Sequence, residues 1–331
     1  MCNRLVVAVF FCMVLQLSVA KSMSQNTDDI RILPVQQVGQ LDILRVPIGS
    51  GPNDVGITNP SEANPEGPMS FAISEDNQEF FILDQVNSRI QVFAGGKRQR
   101  SIPIGDIQPK DLELLPHGEI ALLTEKNVII ISNHGEIIRS IAVEGRLVPS
   151  SEDVTGIYAR TRGRWKGLWL NVGDRSVRIA SLDQGVVPGE RISVPGRISV
   201  NGLQLISLRI YGNTNATVYR SKVGSISEWE LEFPINLPGK IDSVDCVDDD
   251  NNGRLYLAVT LADDNKLSSK LVIVNPEAKK VFSFNLFVQR VPHEIFHSVR
   301  ISANGNVFQM ALEYHSVFIR EYKPSTSGGI R

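Results

Sequence analysis

GPMSFAISEDNQEFFILDQVNSRIQVFAGGKRQRSIPI, residues 67–104, is the stretch that decides the fold. After Gly67-Pro68, Met69 to Ser74 reads as a short strand, Glu75-Asp76-Asn77 as a turn, and Glu79 to Leu83 as a second strand. Asp84-Gln85-Val86-Asn87-Ser88 makes a polar corner before a third strand, Arg89-Ile90-Gln91-Val92-Phe93. Gly95-Gly96 then turns the chain into Ser101-Ile102-Pro103-Ile104, the fourth. Glycine, asparagine and aspartate take the turn positions because they accept left-handed backbone or bond their own main chain. Four strands, each one turn from the next, make one antiparallel blade.

The same grammar returns along the chain. Leu112–Leu115, Glu119–Thr124, Asn127–Ser132 and Glu136–Val143 form a second unit around the turns Pro116-His117-Gly118 and Asn133-His134-Gly135. A third runs from Val154 to about Val194, a fourth from Ile198 to Pro234, and a fifth contains Ser243–Val247, Arg254–Thr260, Lys270–Val274 and Val281–Phe284. The last shows only three strands, ending in Ser316–Arg320. A repeat near 40 residues selects propeller blades over a sandwich or barrel. The expectation is an all-β, six-bladed β-propeller of four-stranded antiparallel blades occupying 38–324 as one domain. Leu41–Val46 has no blade of its own. Joining it to the three-stranded last unit would close the ring and remove two exposed edges.

Pro68 through Phe93 resembles an NHL repeat, in which proline, a strand, a turn and an apolar strand lead into aspartate, asparagine and arginine before another apolar strand. Asp84, Asn87, Arg89, Ile90, Val92 and Phe93 carry the resemblance; the later units share only its outline. It implies a propeller, and it implies structural roles for Asp84, Asn87 and Arg89 within a tight corner. Some propellers of similar fold are metal-dependent lactonases or lyases whose axial ligands come from several blades.

The amino terminus reads as an export signal over 1–20. Arg4 precedes an apolar run from Leu5 to Leu17, and Ser18-Val19-Ala20 places small residues where signal peptidase cuts. The run is short for a bilayer span. Residues 21–37 read as a flexible linker and 325–331 as a flexible tail. The predicted address is periplasmic or extracellular, with no transmembrane helix after cleavage. Cys2 and Cys12 leave with the signal, so Cys246 stands alone and no intramolecular disulfide is expected. The net charge of −2 becomes one unit more negative without Arg4, which argues against a nucleic-acid partner.

Three stretches are candidates for chemistry. His293-Glu294-Ile295-Phe296-His297 spells the H-E-x-x-H of zinc proteases, in which two imidazoles one helical turn apart hold the metal. Pro292 before it and the strand-like Val299–Ser302 after it deny the motif its long helix, so an inter-blade connection is the plainer reading; His293 or His297 could still serve a ligand at the axis. Asp248-Asp249-Asp250-Asn251-Asn252-Gly253 resembles half of a calcium loop, with Asp248 and Asp250 as metal candidates. Val259 stands where the bidentate glutamate belongs, which favours a hairpin turn. Arg160-Thr161-Arg162-Gly163-Arg164-Trp165-Lys166 is the densest basic stretch, and Arg160, Arg162, Arg164 and Trp165 are candidate binding residues for an anionic partner. No cofactor is expected, with calcium or zinc the weak alternatives. The sequence is read as an exported, non-enzymatic module whose propeller-face loops hold a protein, peptide or glycan. The alternative is a metal-dependent hydrolase or lyase working in the axial channel.

Overall fold

In the computed structural model the described residues are 32–34, 38–59, 65–263, 266–289 and 295–324. The stretch read as a signal peptide and the carboxy-terminal tail lie outside them. Six four-stranded antiparallel sheets follow one another in a ring. Blade one is Phe71–Ile73, Glu79–Asp84, Arg89–Ala94 and Lys97–Pro103; blade two is Asp111–Leu114, Ile120–Leu123, Asn127–Ile131 and Ile137–Ala142. Blade three is Val154–Arg160, Gly167–Val172, Arg175–Ser181 and Val187–Pro195. Blade four has an inner strand of only two residues, Arg197–Ile198, then Leu205–Tyr211, Asn215–Ser221 and Trp229–Asn236. Blade five is built of Lys240–Asp249, Leu255–Asp263, Lys266–Asn275 and Lys280–Asn285. Among the described residues, helix is confined to short 3-10 turns, and none is long and apolar enough to cross a membrane.

The sixth blade takes three strands from the carboxy-terminal end, Val299–Ile301, Val307–Glu313 and Ser316–Pro324. Its outermost strand is Val38–Pro47, antiparallel to Ser316–Pro324 with Leu41 opposite Glu321 and Arg45 opposite Phe318. The expected closure is therefore present. Leu44 and Val46 drive it, packing with Phe308, Met310 and Val317 of their own blade and with Phe71, Phe80 and Phe93 of blade one.

The cores lie between blades rather than within them. Ile82, Leu83, Ile90 and Val92 are fully buried, and the cluster that holds Leu83, Ile90 and Val92 also contains Leu112, Ile120 and Leu122 of blade two. A middle strand is thus covered on both faces, which explains the near-continuous apolar runs Phe80-Phe81-Ile82-Leu83 and Ile120-Ala121-Leu122-Leu123. Outer strands face water and read polar, as in Lys97–Pro103, where only Ile102 is buried.

Two features go beyond the sequence reading. Ile32–Pro34, inside the stretch read as a linker, forms a fifth strand on blade five, parallel to Val281–Ser283. Its proline sits on an edge strand, where a missing donor is tolerated. At the corner of blade one, Asp84 is fully buried and accepts from Gly56 N at 2.8 Å, Asn87 Nδ2 at 3.0 Å and Arg89 Nε at 2.7 Å. Arg89 Nη2 also donates to the carbonyls of Gly51 and Asp54. The corner therefore anchors the chain that leaves the closing strand to the ends of the two middle strands of blade one.

Candidate functional site in the axial channel

The innermost strands of the blades line a cavity of about 1460 Å3. In five of them a charged side chain lines the cavity: Glu113, Arg160, Arg197, Asp248 and Arg300. Buried charges persist only when paired, and pairing here crosses the seams between blades.

Asp111, fully buried in blade two, is the first node. Its Oδ1 accepts from Ser70 Oγ at 2.6 Å on the blade-one side, and its Oδ2 accepts from Ile157 N of blade three at 2.9 Å. His297 Nδ1 lies 2.8 Å from Oδ2, and Arg300 Nη2 lies 3.4 Å from Oδ1. Burial alone would raise this carboxyl, but His297, Arg300 and the Ser70 hydroxyl together hold it below the ordinary aspartate value. Arg300 is engaged through all three of its nitrogens. Its Nε donates to Phe71 O, its Nη1 to Glu113 and its Nη2 to Leu112 O. Glu113 in turn accepts from Ala159 N at 3.1 Å.

Asp248 of blade five is the second node. Oδ1 accepts from Arg160 Nη2 at 2.8 Å, and Oδ2 from Arg197 Nη2 at 3.1 Å. Both guanidiniums lie over the ring of Tyr158, at 4.0 Å for Arg197 and 4.9 Å for Arg160. The two arginines outweigh the burial of Asp248 and keep it ionised. Its neighbour Asp249 behaves oppositely. Burial and the Asp248 carboxylate push it up to about 7, while its Oδ1 accepts from Val200 N across the seam to blade four. Cys246 also lines the channel, and burial with Asp248 nearby pushes its thiol up to about 12, so it stays protonated.

The raised Asp249 sets a pH dependence. Between its unfolded value near 3.8 and its folded value near 7, the native state holds the proton that the unfolded chain has lost. This group's contribution to stability therefore falls as pH rises through that window and is flat above it. Asp249→Asn keeps the acceptor for Val200 and removes the titration. It is expected to be more stable than the parent at pH 8, with the advantage vanishing near pH 4, as urea unfolding at the two pH values would measure. An unchanged difference between the two pH values would show that Asp249 is already ionised at neutrality.

The basic stretch of blade three divides. Arg160 is buried and belongs to the channel, with its Nε donating to the carbonyls of Ile198 and Ser199. Trp165 is buried against Trp169. Arg162 and Arg164 remain on the surface, Arg164 over the Trp165 ring and bonded to Gly224 O. These residues are thus one core anchor, one channel ion pair and two surface cations. Their loop is fixed by close backbone contact: a Cβ on Gly202 would lie 1.8 Å from Arg162 O, and both Gly163 and Gly202 have positive φ.

The metal candidates are similarly placed. Asp250 Oδ1 accepts from Asn252 N and Arg254 N, and its Oδ2 from Arg254 Nε and Tyr256 OH, which makes a closed hairpin turn. Asp248 is held by its two arginines. His293 and Glu294 fall outside the described residues, and 295–298 run without helix beside Asp111. Among the described residues no three histidine, cysteine, aspartate or glutamate side chains gather in a metal-holding group. Sequence reasoning missed Asp111, Glu113, Arg197 and Arg300. The available signal was charge alternating with apolar residues in an inner strand, as in Asp111-Leu112-Glu113-Leu114 and Val299-Arg300-Ile301; the two-residue strand of Arg197 gave none.

No family model matches this chain, and no curated protein matches it in sequence. Solved structures do. The hydrazine synthase of Kuenenia stuttgartiensis aligns with a TM-score of 0.50 at 13% identity, over 76% of each chain. The β-propeller domain of Cps50 (Swd1) from Myceliophteria thermophila gives 0.45 at 13% identity, covering 80% of this chain and 86% of that one. A luciferin-regenerating enzyme gives 0.43 at 12% identity over 77% and 91%. Likeness at such identities speaks to the fold alone, and the fold is a six-bladed β-propeller.

Proposed function

We propose that this chain is an exported, non-enzymatic binding module of the NHL-like propeller kind that holds a polypeptide partner on one face of blades three and four. The observation that carries the reading is a surface where aliphatic side chains meet unpaired cations. Leu203, Val223 and Ile226 are exposed, at 37, 66 and 50% of their full areas. Arg164 joins them through Gly224 O, and Gly224 N donates to Leu203 O at 2.8 Å. Arg162 lies at the same loop crossing. Trp165 N donates to Gly202 O, and the buried indole beneath makes the platform rigid. Clustered exposed apolar groups beside arginine are the composition of a protein-binding surface. Aliphatic rather than aromatic contacts favour a polypeptide over a glycan, and the two arginines favour one carrying acidic residues.

Two further lines support the reading. The channel carboxylates Asp111 and Asp248 are spent on arginines, histidine and main-chain donors, which favours a scaffold over metal-dependent hydrolysis or lysis. Arg4, the apolar run to Leu17 and Ser18-Val19-Ala20 support export, and Pro68–Phe93 supports the NHL-like kinship. The test is crosslinking of the full chain in its own cells. Val223→Asp with Ile226→Asp should abolish a specific crosslinked partner. Ile210→Asp with Tyr211→Asp, exposed at the opposite end of blade four, should retain it. Equal retention by both pairs would overturn the proposal, as would recovery of the chain in the cytoplasmic fraction.

A further inference from the structure

Blade four is missing most of its inner strand. Arg197–Ile198 stands opposite only Ile206 and Leu205 of the next strand, so Ser207 to Tyr211 have no partner strand on the channel side. The register says which groups are left over. Ser199 N donates to Gln204 O at 3.0 Å and Arg197 lies opposite Ile206, and main-chain bonding in an antiparallel pair alternates along the strand. Ser207, Arg209 and Tyr211 therefore bond to Tyr219, Thr217 and Asn215 of the third strand. Leu208 and Ile210 aim their N–H and C=O the other way, at the channel. The chain that could have covered them is drawn aside just before it enters the blade, where Gly196 N donates to Asp174 O of blade three at 2.7 Å.

Other short inner strands do not end so abruptly. Main chain prolongs them, with Leu83 N donating to Ser70 O in blade one and Met310 N to Ser298 O in blade six. Side chains cap further channel-side groups. Asp111 and Glu113 accept from Ile157 N and Ala159 N of blade three, and Arg160 donates to Ile198 O and Ser199 O of blade four. Among the described residues no such partner meets the channel-side main chain of Leu208 or Ile210. The edge is also open. Leu208 is partly exposed and Ile210 is 46% exposed, and both line the cavity together with Ile206, Arg175 of blade three and Val244 of blade five.

We propose that this edge takes up an extended segment of another polypeptide, which becomes the missing inner strand of blade four. An unpaired edge is a template for strand addition, in which main-chain bonds supply affinity and alternate side chains supply selectivity. A strand is the shape that meets an N–H and a C=O on every second residue, and at about 3.4 Å per residue a pentapeptide matches Ser207 to Tyr211. The apolar wall of Ile206, Leu208 and Val244 selects aliphatic or aromatic residues at alternate positions of the incoming segment. This edge lies at the end of blade four opposite Leu203 and Val223, so it is independent of the loop-face reading, and the failure of either leaves the other standing.

Fluorescence polarisation with the full chain tests the proposal. The probes are labelled, capped pentapeptides flanked by lysine, in which valine, isoleucine, leucine or phenylalanine alternates with threonine. At least one is expected to bind. Replacing its central amides by esters keeps the side chains and removes the donors, and should weaken it by about tenfold or more. Ile210→Pro deletes the channel-side N–H without touching the ladder to Asn215–Ser221, and should weaken the binder by about tenfold. Ile210→Thr keeps the N–H and should bind within about twofold of the parent. Thermal unfolding establishes that each variant is folded. A photoreactive benzophenone on the peptide locates it on the parent chain without any substitution, with attachment expected within 206–211 or 243–247. The proposal falls if no probe binds, if ester and amide bind alike, or if attachment maps elsewhere. It also falls if folded Ile210→Pro binds as the parent does, or if Ile210→Thr weakens binding as much as Ile210→Pro.

Discussion

Asp111→Ala is expected to lower the unfolding free energy by about 3–5 kcal/mol, the range for removing one partner from a buried charge network. The side chain is fully buried and ties four blades at one point: Ser70 from blade one, its own blade, Ile157 from blade three, and His297 with Arg300 from blade six. Alanine would strand the Ile157 N–H and leave Arg300 with Glu113 as its remaining carboxylate. For a domain of this size the loss corresponds to roughly 10 °C in the unfolding midpoint, which scanning calorimetry would register. The effect has a defined pH window. A carboxyl held below its ordinary value of 3.8 contributes stability that is present above that pH and disappears as pH falls through the folded value. Parent and variant should therefore differ most at neutral pH, and the difference should begin to shrink only below about pH 4. A variant as stable as the parent at pH 7 would show that the seams are held by the apolar clusters alone.

The second large effect lies at the closure. Leu44→Ala is expected to cost about 2–5 kcal/mol, the range for emptying a fully packed leucine site. Leu44 is 3% exposed and packs in the cluster shared by blades six and one, so the cavity would open where the ring is joined. Asp42→Asn on the same strand is the contrast. Asp42 bonds Arg320 at 2.6 Å and Arg45 at 2.8 Å, and both arginines lower its carboxyl, yet the group is about a quarter exposed. Screened pairs of this kind contribute about 1 kcal/mol or less. Urea unfolding of the two variants would order them. If Asp42→Asn cost as much as Leu44→Ala, polar pairing rather than burial would be what closes the ring.

Both predictions turn on the same physical division. Strand pairing in a blade is local: each turn, such as Gly95-Gly96 or the corner Asp84–Ser88, joins neighbours in sequence, and its residue types can be read directly. The closing strand was legible for a related reason, since a unit of three strands leaves an edge and Leu41–Val46 was the unused strand. The short inner strand of blade four and the parallel strand Ile32–Pro34 were not legible. Two residues carry no periodicity, and a three-residue strand borrows all its order from the edge it joins.

The candidate site was less legible than the fold. Local sequence drew attention to the run Arg160–Trp165 and to His293–His297, because clustered letters resemble motifs. Arg160 and Trp165 are adjacent in that run but face the channel and the core respectively, while Arg160 finds Asp248 far along the chain. Glycine at 156 looks like any strand glycine until His297 and Asn171 are seen against it.

The sequence by itself determined the number of blades, their antiparallel order and the strand that closes them, because those features follow from turn chemistry and from apolar residues that must be covered. Only the tertiary structure decided which charges meet at the axis. Asp111, Asp248, Arg160, Arg197 and Arg300 come from five different blades, and a ring brings them together by closing. Burial then demands that they pair, and each pair forms between different blades.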